Sequence, residues 1–565
     1  MRLPISILLG GILLFVVCKP PKAKPDTSEQ IQAITELFES KEAYSIRVLD
    51  SADILTYLAD HPAFRADSAG IRAFYARRNY QFAWFVNDSL SQAAAGFASL
   101  VNNVDTAYRE GVTLRDELNE ILTASQYGSS PSMGCDSCQI HLELTLTAQF
   151  FRFAHKKYGG MVGKDLGELD WFIPRKKKNY DRLLDSLAAG RMDLSLVEPI
   201  HPQYSELKAE LKHYFALDTL ATWATISLGD RRKIEPGDTA LPIAEIRQRL
   251  MILGDLLSGP DTVVLNSIAY DSSLVKAVER FQERHGLLAD GVIGQGVVRA
   301  LNVTPAERVR TLLINMERLR WVPETYAPDL ILVNIPEFRM HIFEDGKEAW
   351  NMDVVVGTGA TRTVIFSDTL SRIVFSPYWG VPASIVRNEI LPAIAKNPNY
   401  LAKKGMEKIG GTDANPVIRQ KPGAGNALGR VKFLFPNSYS IYFHDTPSKG
   451  GFARESRAFS HGCIRLSKPR QLAEYLLRND TAWTPEKIEK AMFKGKETWV
   501  VLKDKRPVTI GYFTAWMDTD GRLNFRDDVY KHDERLASEL FFDPTPAPVS
   551  DPPLTPLQQE VEAIQ

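Results

Sequence analysis

Residues 329–357 read "DLILVNIPEFRMHIFEDGKEAWNMDVVVG", and the fold turns on this stretch. Apolar and polar residues alternate on both sides of Glu344-Asp345-Gly346-Lys347, the pattern of two strands joined by a tight hairpin turn. A period of two sends successive side chains to opposite faces of a sheet, so a β-rich domain begins near residue 327. The pattern continues through "SRIVFSPYWGVPASIV" (371–386), a more helical stretch "NEILPAIAKNPNYLAKKG" (388–405), and the strand "SYSIYFHD" (438–445). In that strand Ile441 and Phe443 face one way, and Tyr442 and His444 the other.

Upstream the period lengthens. Residues 26–236 are mainly helical, as in "LELTLTAQFFRFAHKKYGG", where Leu142, Leu144, Phe150, Phe151 and Phe153 supply a core. Residues 240–304 form a compact unit with Ile243, Ile246, Leu250 and Leu253 on one helical stripe and Leu274, Val278 and Phe281 on another. The fold class is therefore multi-domain α+β. A helical scaffold (26–236) and a small helical module (240–304) precede a β-rich domain (327–503) that includes the more helical stretch near 388–405. A C-terminal extension (504–541) and a Pro-rich tail (542–565), expected to be disordered, follow. A chain of 565 residues exceeds one hydrophobic core, and 44% hydrophobic with 24% charged residues describes ordinary folded protein. With 68 basic against 69 acidic residues no global field holds a polyanion, which removes nucleic-acid binding from the partners considered.

"MRLPISILLGGILLFVVC" (1–18) has one Arg, an apolar run from Leu3 to Val17 and a closing cysteine, before the polar "KPPKAKPD". The run suits a signal segment better than a full bilayer span. Two readings stand: a lipoprotein signal acylated at Cys18, with Phe15 and Val17 departing from the usual residues, or an uncleaved N-terminal anchor. Either implies export. Of the four cysteines, Cys135 and Cys138 in "GCDSC" then suit a small loop disulfide, and Cys463 is left free if Cys18 is lipidated. A redox role for "CDSC" lacks a thioredoxin-like context, and no second Cys or His pair sits at zinc-ligand spacing.

Cys463 lies in "AFSHGCIRLSKP" (458–469). Alone, such a residue is more often a buried small hydrophobe than a nucleophile. A nucleophilic thiol needs a base. His461 is two residues away, close but angularly poor, whereas His444 sits nineteen residues upstream on a strand that a strand-loop-strand return brings back; His444 is preferred. The Asp445 carboxylate is directed to the opposite face, so its backbone carbonyl is the better orienter of the imidazole. Gly462 allows a turn that presents the Gly462 and Cys463 N–H groups to an oxyanion, and Arg465 shares the face of Cys463, to favour the thiolate or hold a substrate carboxylate.

"IYFHDTPSKGGFARESRAFSHGCIRLSKP" resembles the catalytic signature of the L,D-transpeptidases. The likeness extends through "VVVGTGATRT", "FSPYWGVPASIVRNEILP", "IRQKPGAGNALGRVKFLFPN" and "YFTAWMDTDGRLNFRDDVY", and residues 240–304 resemble a three-helix peptidoglycan-binding module. Together these resemble the large, multi-domain branch of the family. The resemblance implies an acyltransferase of the bacterial cell envelope, on the periplasmic side, inhibited by carbapenems and acting in wall organisation and cell shape. It implies attack on the bond between the third stem residue and terminal D-Ala, release of D-Ala, and a 3→3 cross-link. Mapped onto this sequence, Cys463 is nucleophile, His444 base and later acid, and the Asp445 carbonyl its orienter. Ser460, His461, Gly462 and Cys463 shape the oxyanion site, with His461 open between contacting substrate and bracing the turn. Arg465, Tyr442, Tyr378 and Trp379 contact substrate, residues 387–430 form a partly helical lid over the cleft, and Gly423 and Gly425 give that lid flexible points. Partners are stem peptides and glycan, with the membrane reached only through the N-terminal segment; no metal or organic cofactor is called for. "KPGAGNALG" carries Ala424 where the family often has Pro, and Asp445 stands where some members have Gly or Ser. Two other classes remain: a peptidoglycan cysteine hydrolase (L,D-carboxypeptidase), and a non-catalytic wall-binding scaffold.

Overall fold

The computed structural model describes residues 47–541 apart from 87–88, 103–107, 109–110, 118, 121–135, 162–165, 176–177, 179, 191–199, 221 and 258–265. The N-terminal segment with Cys18, Cys135 of the "CDSC" pair, and the Pro-rich tail lie outside the described residues. Cys138 is disulfide-bonded, and among the described residues Cys463 is the free cysteine.

The chain divides into two compact units, residues 1–100, 123–150 and 181–196 forming the first, and 101–122, 151–180 and 197–565 the second. The expected scaffold segment is thus shared between them. In the first unit, the helix Ser51–Asp60 opens with a reciprocal capping box between Asp50 and Asp53, which satisfies amide donors that a helix start leaves unpaired. Its core gathers Phe74, Trp84, Phe97 and Phe150. Leu144 is buried as expected, whereas Leu142 is half-buried. At the centre lies Glu143, fully buried, accepting N–H bonds from Ala83 (2.6 Å) and Trp84 (3.0 Å) and the Tyr75 hydroxyl (2.9 Å).

In the second unit, Ile243, Ile246, Leu250, Leu274, Val278 and Phe281 form one core with a third helix, Gln295–Asn302, as the two stripes required; Leu253 packs at its margin. The helix Pro305–Trp321 follows, started by a Thr304–Glu307 capping box with Pro305 in its first turn.

The predicted β-rich domain is a nine-stranded sheet. Its strands are β1 (Leu330–Asn334), β2 (Arg339–Glu344), β3 (Lys347–Gly357), β4 (Phe366–Phe375), β5 (Val431–Leu434), β6 (Phe443–His444), β7 (Ala458–Ser460), β8 (Ile464–Leu466) and β9 (Thr498–Gly511). They are ordered β7-β3-β8-β6-β5-β4-β9-β1-β2, and β2 also pairs with β3, so the sheet closes on itself. The β2–β3 turn has positive φ at both Asp345 (48°) and Gly346 (76°), the hairpin geometry that the Asp-Gly pair predicts.

Three expectations need correction. The strand "SYSIYFHD" shrinks to Phe443–His444, because the Asn437 side chain takes the Tyr439 and Ile441 N–H groups and gives its own to the Phe435 and Ile441 carbonyls, competing with a ladder. The boundary at residue 503 falls inside β9, whose last residues, Val508–Gly511, pair with β1. The segment 387–430, expected as a partly helical lid, belongs to a substructure that starts earlier, near Trp379. It has its own three-stranded sheet (Trp379–Gly380, Met406–Gly411, Pro416–Gln420) and its own core of Val381, Ile385, Val386, Ile390 and Ile418.

Candidate active site

Strands β6 and β8 run parallel, with Phe443 opposite Ile464 and His444 opposite Arg465. This register places Tyr442 and His444 on the same sheet face as Cys463 and Arg465, although nineteen residues separate the histidine from the cysteine. His444 ends β6 and is buried, with Nδ1 2.5 Å from its neighbour's carbonyl, Asp445 O. That bond assigns the ring proton to Nδ1 and leaves Nε2 as the basic nitrogen. Burial is the largest influence on the imidazole and pushes its pKa down to about 4; the Asp445 bond opposes this and the Arg465 charge adds to it. The Asp445 carboxylate is turned elsewhere, accepting Arg430 N–H (2.8 Å), Thr446 N–H (2.7 Å) and Lys449 Nζ (2.6 Å).

Cys463 is half-buried. Burial pushes its thiol pKa up, while hydrogen bonding to Tyr442 and the Arg465 charge act downward. The structure thus pairs a neutral thiol with a neutral imidazole near pH 7. The thiol contacts the Ser440 carbonyl at 3.5 Å, and no hydrogen bond joins it to His444 among the described residues. Resting sites often hold such pairs loosely, tightening them when substrate binds.

The turn before the thiol is heavily braced. Ser460 Oγ donates to the Cys463 carbonyl (2.6 Å) and accepts the Gly462 N–H (3.2 Å). Gly462 has φ +107°, a conformation closed to residues with a Cβ. The expectation that both the Gly462 and Cys463 amides face an oxyanion is therefore corrected: the Gly462 N–H is occupied by Ser460. The Cys463 N–H has no acceptor among the described residues.

Around this centre, Arg465 is half-buried, and its Nε is enclosed without a hydrogen-bond partner among the described residues. The Tyr442 phenol is held protonated, first by burial and then by the adjacent Cys463. Tyr378 carries the Arg419 guanidinium 4.4 Å over its ring, and its N–H donates to Glu497 (3.0 Å). Trp379 packs on the separate core of Val381, Ile385, Val386, Ile390 and Ile418. His461 is exposed, and its Nε2 meets Glu389 Oε1, in the helical segment after Pro382, at 2.9 Å. Sequence reasoning missed Glu389 and also Thr363, whose hydroxyl donates to the Gly462 carbonyl at 2.7 Å; no spacing rule joins residues 99 positions apart.

A cavity of about 1520 Å3, lined by residues including Arg339, His341, Glu348, Arg457 and Trp516, includes none of these groups. Among the described residues, no group of three or more His, Cys, Asp or Glu is placed to hold a metal ion.

Residues 328–510 match the model of the L,D-transpeptidase catalytic domain, residues 69–211 that of a scaffold domain, and residues 240–301 that of a domain described provisionally as peptidoglycan binding. A Haemophilus influenzae protein provisionally named an L,D-transpeptidase is 32% identical over 241 residues, 40% of this chain and 48% of the relative. The chain thus spans about half the length of that curated relative. Among solved structures, an L,D-transpeptidase from Mycobacterium smegmatis is 14% identical, covers 33% of this chain and 59% of its own, and has a TM-score of 0.19. One from Stackebrandtia nassauensis is 13% identical, covers 49% and 95%, and has a TM-score of 0.21.

Proposed function

We propose that this chain, whose residues 328–510 belong to the L,D-transpeptidase catalytic domain family, forms 3→3 peptidoglycan cross-links through an acyl-enzyme on Cys463. In this reading His444 Nε2 takes the thiol proton as Sγ attacks the carbonyl joining the third stem residue to terminal D-Ala. The Cys463 N–H faces the developing oxyanion, and Ser460 and Gly462 hold the turn that presents it. The same proton passes to the nitrogen of D-Ala as the peptide bond breaks and the thioester remains. A neighbouring stem's side-chain amine then attacks the thioester, gives a proton to His444 and leaves a new amide with the thiol restored. Arg465, on the sheet face shared with Cys463 and His444, is assigned to a substrate carboxylate, and Tyr442, Tyr378 and Trp379 to the donor side of the cleft.

One observation carries the reading: the Asp445 carbonyl holds His444 Nδ1, leaving Nε2 basic on the face shared with Cys463. The peptidoglycan-binding match supports wall glycan and stem peptides as partners and a place in the cell envelope. Attachment through Cys18 or an uncleaved N-terminal segment on the periplasmic side belongs to the same proposal. No helix among the described residues is long and apolar enough to cross a membrane.

Incubation with disaccharide-tetrapeptide, followed by mass analysis, tests the reaction. Dimers with loss of D-Ala support transfer; trimmed monomers alone would make the enzyme a carboxypeptidase that resolves the same thioester with water. If Cys463→Ala leaves turnover and covalent labelling by a carbapenem unchanged, the mechanism is wrong and a non-catalytic wall-binding role takes its place.

A further inference from the structure

We infer that Tyr530 and Thr363 are positioning residues for the nucleophile turn, through a buried hydroxyl relay that brings the segment beyond the matched catalytic domain to bear on Cys463. The inference rests on the reading of Cys463 as nucleophile. The turn at Gly462 is held at φ +107°, and such backbone persists only where the surroundings determine it. Two sets of bonds do so from the strap that follows β3. The Ser460 carbonyl accepts Thr358 N–H (3.0 Å) and the Thr361 hydroxyl (2.9 Å), and the Gly462 carbonyl accepts the Thr363 hydroxyl (2.7 Å).

Thr363 has in turn to be held. Its Oγ1 accepts Gly357 N–H (3.0 Å), and its own N–H points to the Tyr530 hydroxyl (3.3 Å), which donates to the Gly357 carbonyl (2.7 Å). Every hydroxyl in the relay thus both donates and accepts, in one consistent direction. The strap closes so tightly that a Cβ on Gly357 would lie 2.0 Å from the Thr361 carbonyl oxygen. Tyr530 is fixed from behind, its N–H donating to Tyr512 OH (2.9 Å), which donates to Asp528 (2.6 Å). Asp528 accepts the first amides of the helix His532–Leu540. Thr363, Tyr512 and Tyr530 are all buried, so a missing hydroxyl cannot be replaced cheaply by bulk water. The catalytic-domain match stops at residue 510, and Tyr530 lies twenty residues beyond it.

The full chain and its Thr363→Val, Thr363→Ser and Tyr530→Phe variants are assayed for tetrapeptide turnover and for alkylation of Cys463 by iodoacetamide, with a thermal melt as a control on folding. Thr363→Val should lower kcat about tenfold or more with KM within about threefold, and Thr363→Ser, which keeps the hydroxyl, should recover most of the loss. Tyr530→Phe keeps the ring, lowers kcat in the same direction, and adds little to Thr363→Val in the double variant, because one relay is broken either way. The inference is overturned if folded Thr363→Val and Tyr530→Phe both keep wild-type kcat and alkylation rate, or if Thr363→Ser is as impaired as Thr363→Val. Alkylation reports presentation of the thiol whatever the acyl donor. A wild-type protein without turnover whose alkylation still falls in Thr363→Val would therefore sink the proposed reaction and leave the relay standing.

Discussion

Two buried polar clusters, one in each compact unit, look alike until their partners are counted. Glu143 in the first unit and His444 in the second are both enclosed, and burial is the main cause of both titration shifts, Glu143 rising to about 7 and His444 falling to about 4. Glu143, however, spends its oxygens on two backbone amides and a phenol, all within its own cluster. Around His444 the accounts stay open: Nε2 is uncommitted, Arg465 Nε is unpaired, and the Cys463 amide has no acceptor among the described residues. A shifted pKa marks burial; unpaired groups converging on a nucleophile mark a site.

Substitutions can break that contrast. Cys463→Ala should remove acylation, a loss of about 10^4-fold or more, seen as absent carbapenem adduct by intact mass. Next, His444→Gln should cost about 10^2- to 10^4-fold in acylation rate while leaving the melt unchanged. The wild-type acid limb should lie near pH 4 to 5, not near 6.5, because burial favours the neutral imidazole down to about pH 4; a midpoint above 6 in the acylation profile would contradict the geometry.

Glu143→Ala should do the reverse. It leaves the Ala83 and Trp84 amides buried and unpaired, at a cost of about 2–5 kcal/mol in denaturant unfolding, with kcat/KM of the folded enzyme unchanged. The folded pKa of Glu143 is raised, so its contribution is fully present below the unfolded value of 4.5 and is lost as pH rises through about 7. Stability of the first unit should fall by roughly 3 kcal/mol across that window, and Glu143→Ala should flatten the slope. The smallest effect belongs to Glu389→Ala. Both members of the His461–Glu389 pair are about half exposed, and exposed pairs are worth about 0.2–1 kcal/mol, so KM should move by no more than about fivefold.

Local pattern made much of this molecule legible. The Asp-Gly hairpin, the module's two stripes and the placement of Tyr442 and His444 opposite Ile441 and Phe443 follow from periodicity, which is a short-range property of the chain. The start at Trp379 of the substructure with its own sheet, and the short β6, escaped because both depend on partners distant in sequence or on side chains competing for backbone groups, as Asn437 does. The Pro392-containing stretch reads as helical, but the strands that follow it become visible only through their partners: 406–411 pairs with 416–420, and 416–420 pairs in turn with Trp379–Gly380.

The sequence by itself determined the fold class, a candidate nucleophile and base, and the need for a residue without a Cβ at 462, because periodicity, residue chemistry and φ are written one residue at a time. Tertiary structure alone decided that the Gly462 amide is taken by Ser460, that His461 reaches Glu389, and that the Tyr530 hydroxyl bonds the Gly357 carbonyl behind the turn at Gly462. Those outcomes depend on which buried donor finds which acceptor, and burial brings together groups that the chain keeps far apart.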